Sequence, residues 1–241
     1  LRGCMYVLKR VASDDSSCVL IGPCGSDERS LSSPRALMAP LNVLIIGAGK
    51  ISRRHAAAWK KLTSGRIHIT DTVESRSRQL AEEFEIEACV DPLESITSLE
   101  IDIVDVCVPT PFHSQYVLAA LAEGCHVFVE KPLCLSTAEA TKIVAAAQEA
   151  DRHVQVGYLF RHHPTYQQVQ QWLREGLLGE PHMALVRMGG RGSAAAWKHR
   201  RADGGGVVNE MIVHKLDLLM WFFGNVELHK VHARHTLLPQ R

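Results

Sequence analysis

The sequence has no marked excess of charge, no long apolar run and no closely spaced cysteine pair. Lysine and arginine (27) nearly balance aspartate and glutamate (26), and the net charge of +1 indicates no basic surface of the kind that binds nucleic acid. No apolar run approaches the roughly 18 residues of a membrane-spanning helix, and the first ten residues lack the apolar stretch of a signal peptide. We therefore expect a soluble, cytoplasmic protein that acts on small molecules and contacts neither nucleic acid nor membrane.

The seven cysteines include no Cys-x-x-Cys pair. Paired spacing of that kind is typical of zinc sites, and disulfides are typical of secreted chains. We expect reduced, structural thiols and no metal site.

Residues 1–37 differ from the rest. The segment 13–36, SDDSSCVLIGPCGSDERSLSSPRA, is rich in Ser, Asp, Gly and Pro without sustained periodicity, which predicts loop or disorder. Because Met38 stands just before a clear strand, residues 1–37 are interpreted as a leader upstream of the folded part.

Residues 38–157 alternate between apolar runs and helical patterns. The runs are 42–47, 66–71, 101–109, 125–132 and 153–160. Continuous apolar strands that alternate with helices are typical of βαβ units, whose parallel sheet is covered on both faces. The predicted fold is an α/β Rossmann domain with a doubly wound parallel sheet.

The pattern changes over residues 158–241. A helix at 164–179, a strand at 182–190, a glycine-led apolar helix at 204–224 and a strand at 226–238 predict an α+β second domain with an open sheet. Two strands do not make a stable sheet alone. The second domain is therefore interpreted as incomplete.

The segment GAGKIS, 47–52, joins the first strand of this domain to a helix. Gly47 permits a tight turn, Gly49 lets the backbone approach a pyrophosphate, and the helix N-terminus presents free N–H groups to that anion. Ser52 stands where the usual fingerprint has a third glycine. This turn predicts a dinucleotide site, although glycines also close βα turns without a ligand.

Asp71 lies 24 positions past Gly47, at the end of the second strand. A carboxylate there accepts hydrogen bonds from the adenosine ribose and repels a 2′-phosphate, so NAD is favoured and NADP is the second candidate. Arg76 and Arg78 either pair with such a phosphate or belong to a solvated helix face.

In VFVEKPLC, 127–134, Glu130 and Lys131 stand together at the carboxyl end of a strand and before Pro132. Open parallel sheets bind ligands at that edge. Lys131 is either a surface lysine or an ammonium that bonds a substrate hydroxyl and helps its proton leave as hydride departs.

Four segments resemble, in order and spacing, the glucose-fructose oxidoreductase/inositol dehydrogenase/MocA (Gfo/Idh/MocA) family. They are GAGKISRRHAAAW, VPTPFHSQYVLAALAEGCHVFVEKPL, VGYLFRHHP and the helix at 204–224. The resemblance covers residues 42 to about 235. It implies a Rossmann domain followed by an α/β domain, which together oxidise or reduce a sugar or cyclitol carbon with NAD(P). It also implies a chain about 100 residues longer and, where the second domain is whole, a homo-oligomer.

The resemblance implies a cofactor site with several parts. The pyrophosphate turn is Gly47, Gly49, Lys50 and Ile51, the ribose contact is Asp71, the wall is Val108, Thr110 and His113, the nicotinamide-ribose residue is Glu130, and the catalytic lysine is Lys131. Thr110 and His113 have the alternative of capping, or lying in the first turn of, the next helix.

In the second domain the resemblance implies that His214 is the catalytic acid/base and that Glu210 replaces the family's usual Asp. The i, i+4 spacing puts them on one helix face; the alternative for His214 is a packed core residue. Asp217 either orients His214 or pairs with a lysine. Tyr158 and Arg161 are substrate-cleft candidates, Arg161 equally an ion-pair partner, while Trp197 and Lys198 lie where a substrate loop would be.

We expect an NAD-dependent dehydrogenase that acts on a secondary alcohol of a sugar, nucleotide sugar or inositol. The alternatives are a non-catalytic dinucleotide-binding regulator and an inactive fragment of such an enzyme.

Overall fold

The computed structural model describes residues 6–9, 20–23, 40–186, 198, 206 and 208–224. Strands β1 (Tyr6–Lys9) and β2 (Leu20–Pro23) pair antiparallel. Both lie in the segment 1–37, for which we expected loop or disorder, so that expectation does not hold for these eight residues. The role of the segment as a separate leader stays a prediction.

The main body is a six-stranded sheet in which every neighbouring pair is parallel. Its order is β5-β4-β3-β6-β7-β8. The strands are β3 (Val43–Ile46), β4 (Ile67–Thr70), β5 (Glu87–Cys89), β6 (Ile103–Val106), β7 (His126–Val129) and β8 (Val154–Val156). Counted from β3 this is the order 3-2-1-4-5-6, so the predicted Rossmann sheet is confirmed.

Helices connect these strands and continue beyond the sheet. They are α1 (Ser52–Leu62), α2 (Glu74–Phe84), α3 (Pro92–Ser98), α4 (His113–Ala122), α5 (Thr137–Glu149), α6 (Pro164–Arg174) and α7 (Val213–Phe223). The hydrogen bonds at the N-terminus of α5 show how the local sequence determines where a helix begins. The hydroxyl of Ser136, the N-cap, accepts from the Glu139 N–H and donates to the Glu139 carboxylate, so one otherwise unpaired N–H of the first turn is satisfied.

Both faces of the sheet are buried, and β3 divides its side chains between them. Leu44 and Ile46 belong to one apolar cluster with Val104 and Val117, whereas Val43 and Ile45 belong to another. Since strand side chains alternate between faces, this division is what helices packed on both sides require. Asp105, in the middle of β6, is a fully buried exception.

Short elements account for the differences in this domain. The sequence pattern predicts no strand at 87–89 and no helix at 92–98, yet the structure has β5 and α3 there. β5 is an edge strand whose side chains are exposed or half-buried, so it carries no apolar run. The sequence signal for α3 is Asp91 followed by Pro92. Asp91 is the N-cap, and its carboxylate accepts from the Glu94 N–H.

The second part keeps its predicted helices but not its first predicted strand. Residues 182–186 have no regular structure and are exposed, so that part of the predicted strand 182–190 is wrong; no described strand lies beside it to supply ladder hydrogen bonds. Residues 187–190 and the predicted strand at 226–238 lie outside the described residues. A π-helical turn, Val208–Ile212, leads directly into α7.

Within the described part of the chain, no helix has both the length and the apolar character needed to cross a bilayer. The cytoplasmic location stays a prediction.

Candidate active site

The carboxyl ends of β3, β6 and β7 bring three predicted segments to one edge of the sheet. They are the glycine turn after β3, the segment 108–113 after β6 and Glu130-Lys131 after β7. Strand order reverses between β3 and β6, and open parallel sheets bind ligands at such a reversal. The parallel sheet thus explains why segments far apart in sequence lie together.

The two glycines of the turn differ in their surroundings. Gly47 has φ +102°, and a Cβ there would lie 2.7 Å from the carbonyl oxygen of Cys107. Among the described residues, no atom beyond the adjoining residues lies within 4 Å of a Cβ built on Gly49. Gly47 is therefore required by the fold, whereas the space beside Gly49 is open to a ligand.

The N-terminus of α1 follows this open space. Ile51 is its N-cap and makes no side-chain capping bond, and Lys50 is exposed. The N-cap side chain therefore does not compete for the first N–H groups of the helix, which suits an anion. Ser52 is fully buried, and its hydroxyl has no hydrogen-bond partner among the described residues.

Asp71 has a second task that the sequence did not reveal. Its carboxylate accepts from the Ala48 N–H at 2.7 Å and from the Val73 N–H at 2.8 Å. The same side chain that is predicted to hold the ribose therefore also orders the glycine turn. Arg78 pairs with Glu74 on the exposed surface of α2, as expected for a solvated helix face.

His113 joins two of the loops. Its Nδ1 lies 2.8 Å from the Pro132 carbonyl oxygen and its Nε2 2.9 Å from that of Val108. Burial lowers the pKa of this imidazole against the influence of the two carbonyl bonds. Both ring nitrogens thus face backbone carbonyl oxygens, of which a neutral imidazole donates to one, and His113 lies against the predicted cofactor wall at Val108.

The capping alternative for Thr110 is wrong, because the N-cap of α4 is Phe112. Thr110 is buried and begins a short 3-10 turn, Thr110–Phe112. The alternative for His113 holds, since it is the first residue of α4.

Lys131, Lys198, Glu210 and His214 form what we name the outer cluster. The Lys131 ammonium donates to the Glu210 carbonyl oxygen at 3.0 Å and lies 3.4 Å from Glu210 Oε2. Lys198 also donates to Glu210 Oε2. The structure therefore unites Lys131 and Glu210 across 79 positions of sequence. Trp197 lies outside the described residues.

Two buried atoms of the outer cluster lack partners among the described residues: Glu210 Oε1 and His214 Nδ1. Burial, then the charge of Lys131, lowers the pKa of His214 to about 4, so its imidazole is neutral near pH 7. Its ring contacts Tyr158 edge-on and lies 4.8 Å from the ring of Phe160. A neutral imidazole whose Nδ1 has no partner among the described residues, and whose pKa is lowered by the charge of Lys131, is suited to accept a proton from a bound hydroxyl.

Arg161 and Asp217 answer one of the open alternatives. The Arg161 guanidinium donates from Nε to Asp217 Oδ2 at 2.8 Å and from Nη2 to Oδ1, and both side chains are buried. Asp217 thus pairs with an arginine, not with a lysine. Arg161 is the ion-pair partner that the sequence left equally open, and nearby Tyr158 has a pKa raised to about 12 by burial and then by Asp217.

A second polar group, which we name the inner network, joins Glu130, a predicted site residue, to four residues that were not predicted to belong to the site. It consists of Trp59, His55, Asp105, Cys107 and Glu130. Asp105 accepts from Trp59 Nε1 at 2.6 Å and from His55 Nδ1 at 2.9 Å. His55 Nε2 lies 3.2 Å from Glu130 Oε1. The one available signal was an acidic residue in the middle of the most apolar strand.

Two family models match this chain. Residues 41–158 match the NAD-binding Rossmann domain of the Gfo/Idh/MocA oxidoreductase family, and residues 166–240 match a C-terminal domain of that family. The first description agrees with the expected NAD cofactor.

Similar proteins include enzymes of cyclitols and sugars. A myo-inositol 2-dehydrogenase of Thermotoga maritima is 29% identical over 82% of this chain and 59% of its own length. A D-glucoside 3-dehydrogenase of Escherichia coli is 27% identical over 81% of this chain and 57% of its own. This chain thus spans somewhat over half the length of these curated relatives.

Among solved structures, GenD2 from gentamicin A biosynthesis, in complex with NAD, superposes with a TM-score of 0.70. It is 24% identical to this chain, with 85% of this chain and 57% of GenD2 covered. At that identity the match supports the fold.

Proposed function

This chain belongs to the Gfo/Idh/MocA family of oxidoreductases, and on that basis we propose that it is an NAD-dependent dehydrogenase. Its substrate is a secondary alcohol of a sugar, nucleotide sugar or cyclitol. The reaction converts the alcohol and NAD⁺ into a ketone, NADH and one proton. The catalytic residues are Lys131 and His214.

The observation that carries this proposal is a pair of buried atoms in the outer cluster that have no hydrogen-bond partner among the described residues. A buried acceptor without a partner costs about 1–3 kcal/mol. For Glu210 Oε1 and His214 Nδ1, this cost is removed when a bound ligand makes a hydrogen bond to each atom. A ligand with adjacent hydroxyl groups offers a donor to each, which a simple alkanol does not.

The cofactor side fits a dinucleotide. The open space beside Gly49 and the uncapped start of α1 accept a pyrophosphate, and Asp71 retains lone pairs for ribose hydroxyls after its two backbone bonds. When bound, NAD⁺ supplies the hydride acceptor of the reaction. Because a carboxylate repels a 2′-phosphate, NAD is preferred over NADP.

The proton is handled by residues on both sides of the cleft. Lys131 donates a hydrogen bond to the reacting oxygen and stabilises the negative charge that develops on it. His214 Nδ1 takes the hydroxyl proton, which it can do because its imidazole is neutral near pH 7. Tyr158, half-buried against the His214 ring, closes one side of the substrate space.

Substrate class follows from Glu210 and from the relatives. Glu210 Oε1 accepts from a hydroxyl next to the reacting carbon, which selects polyols. The matched relatives act on myo-inositol and D-glucosides, so one cyclitol and one glycoside are the first substrates to examine. The expected homo-oligomer stays a prediction.

The test is NADH formation from NAD⁺ by the purified chain with myo-inositol and with methyl D-glucoside. We expect turnover with at least one of them and loss of turnover in Lys131→Met, with the Kd for NADH unchanged. NADH binding without turnover across a wider polyol panel would favour the non-catalytic regulator. The absence of both NADH binding and turnover would contradict the proposal.

A further inference from the structure

The inner network contains Glu130, and the outer cluster contains the next residue, Lys131. The Asp105 side chain is fully buried, and those of His55 and Glu130 are only 13% and 17% exposed. A buried carboxylate is costly unless donors surround it. Asp105 has three: Trp59 Nε1 at 2.6 Å, His55 Nδ1 at 2.9 Å and the Cys107 thiol at 3.4 Å.

His55 bridges two carboxylates, one through each ring nitrogen. Nδ1 faces Asp105, and Nε2 lies 3.2 Å from Glu130 Oε1. A neutral imidazole has one N–H and satisfies one carboxylate, whereas the imidazolium has two and satisfies both. The geometry on both sides therefore requires the charged form.

The groups that face His55 also favour its charge. Burial is the largest single influence and opposes it, but the charge of Asp105 and the hydrogen bonds of Asp105, Cys107 and Glu130 together outweigh burial, and the pKa of His55 is raised far above its usual value. Burial raises the pKa of the Cys107 thiol, so this neighbour stays neutral and can donate. Glu130, on the other side, adds a second negative charge.

We propose that the His55 imidazolium is a positioning residue that fixes the Glu130 carboxylate for the cofactor. The imidazolium donates from Nδ1 to Asp105 on β6 and from Nε2 to Glu130 Oε1. Glu130 Oε2 accepts from the Lys131 N–H at 3.2 Å. Each carboxylate oxygen is thereby oriented and retains a lone pair. The inference rests on the proposed function and on the expectation, from the family resemblance, that Glu130 lies beside the nicotinamide ribose.

Signs of charge alternate along this path. Asp105 is negative, His55 positive, Glu130 negative and Lys131 positive, and beyond it Glu210 is negative. Every neighbour in the series is attracted. Loss of the His55 charge would leave two carboxylates facing each other across an uncharged ring, so Glu130 would move away from Asp105.

A metal ion is the competing occupant. One ligand atom from each of His55, Asp105 and Cys107 lies within 4.8 Å of the others. A metal at Nδ1 requires that nitrogen to be deprotonated and Cys107 to be a thiolate. The imidazolium and the metal site therefore make opposite predictions for one atom.

The first experiment measures that atom directly. In the chain labelled with ¹⁵N-histidine, the His55 signals are identified by their absence in His55→Gln. We expect both ring nitrogens to show imidazolium shifts from about pH 6 to about pH 9. A neutral tautomer at pH 7, or stoichiometric zinc in the purified chain, would overturn the proposal.

The second experiment measures positioning by NADH affinity. We expect His55→Gln to weaken the Kd for NADH about tenfold, and less than twofold when Glu130 is already Gln, because both act through the same carboxylate. His126→Gln, which changes a histidine at the opposite end of β7, is the matched control and should leave the Kd within twofold. Lower thermal stability of His55→Gln with unchanged Kd would assign it a structural role only.

The two experiments separate this inference from the proposed function. If the unaltered chain binds no NADH, the dehydrogenase proposal fails together with the positioning role. The nitrogen spectrum still decides whether His55 bridges the two carboxylates as an imidazolium. If NADH binds but the double variant shows additive losses, only the positioning role is overturned.

Discussion

The inner network contains Glu130 and the outer cluster contains the adjacent Lys131, and the polar atoms of the two groups differ in how they are paired. In the inner network, Trp59, His55 and Asp105 all have partners within hydrogen-bond distance. In the outer cluster, Glu210 Oε1 and His214 Nδ1 are buried without one among the described residues. Groups that only position others can have all their hydrogen bonds made within the protein, whereas groups that are proposed to bind a ligand keep an atom available for a hydrogen bond.

The two histidines express the same contrast in charge. Burial and then the charge of Lys131 lower the pKa of His214 to about 4. Burial acts on His55 in the same direction, but Asp105 and Glu130 reverse it and raise its pKa. Because burial lowers the pKa of both imidazoles, the difference between them comes from their charged neighbours.

The largest expected effect is on turnover. We expect His214→Asn to lower kcat by about 100- to 1000-fold, since a general base contributes on this scale, while the Kd for NADH stays within twofold. His55→Gln should show the reverse division, with affinity for NADH affected more than kcat. Steady-state kinetics and NADH fluorescence titration measure both. Equal losses of kcat in the two variants would remove the contrast.

The glycine turn extends the comparison of filled and open space. Gly47→Ala should lower the free energy of unfolding by about 3 kcal/mol, because a left-handed φ costs about 1–2 kcal/mol and the new Cβ meets the Cys107 carbonyl. Gly49→Ala, in open space, should change it by less than about 0.5 kcal/mol and instead weaken NADH binding. Urea unfolding gives the first quantity and titration the second. A stability loss at Gly49 as large as that at Gly47 would show that the space is filled.

A smaller effect is expected at Glu210. Replacing it with Gln removes the negative charge that Lys131 and Lys198 share and changes the acceptor that a substrate hydroxyl would meet. We expect the KM for the polyol to rise about tenfold, equal to about 1.4 kcal/mol, with little change in the Kd for NADH. Lys215→Met, which changes a lysine of α7 that donates to the Tyr166 hydroxyl on α6, is the control. An effect on NADH binding alone would place Glu210 on the cofactor side.

The sequence predicts the framework of this site better than its pairings. Apolar runs and glycines suffice for the strands β3, β4, β6, β7 and β8 and for the turn at Gly47, because these depend on local pattern. The ends of parallel strands then meet at one edge of the sheet, so Lys131 is expected beside the glycine turn. Topology alone carries that part of the prediction.

Pairings across the fold are different in kind. His55 and Asp105 are 50 positions apart, and Arg161 and Asp217 are 56 apart, so no periodicity relates them. Arg161 was left between a substrate contact and an ion pair because only its neighbours distinguish the two. The strand predicted at 182–190 failed over 182–186 for a related reason: an apolar pattern does not supply the neighbouring strand that a ladder needs.

The smallest expected effect is a difference of sign in the pH dependence of stability. The pKa of His55 is raised in the folded chain, so the stabilisation that its charge contributes is complete below about pH 6.5 and is lost as pH rises toward the folded pKa. The stability difference between the unaltered chain and His55→Gln should therefore narrow as pH rises from about 7 to about 9.

For His214 the order is reversed. Its pKa is lowered to about 4 in the folded chain, so between about pH 6.5 and that value the unfolded chain binds a proton that the folded chain does not. The unaltered chain should lose stability relative to His214→Gln as pH falls through this window. Each slope is at most about 1.4 kcal/mol per pH unit, and urea unfolding of the three proteins at a series of pH values measures it. Slopes of the same sign would mean that the two imidazoles share one protonation state, and the division between a positioning and a proton-accepting histidine would no longer hold.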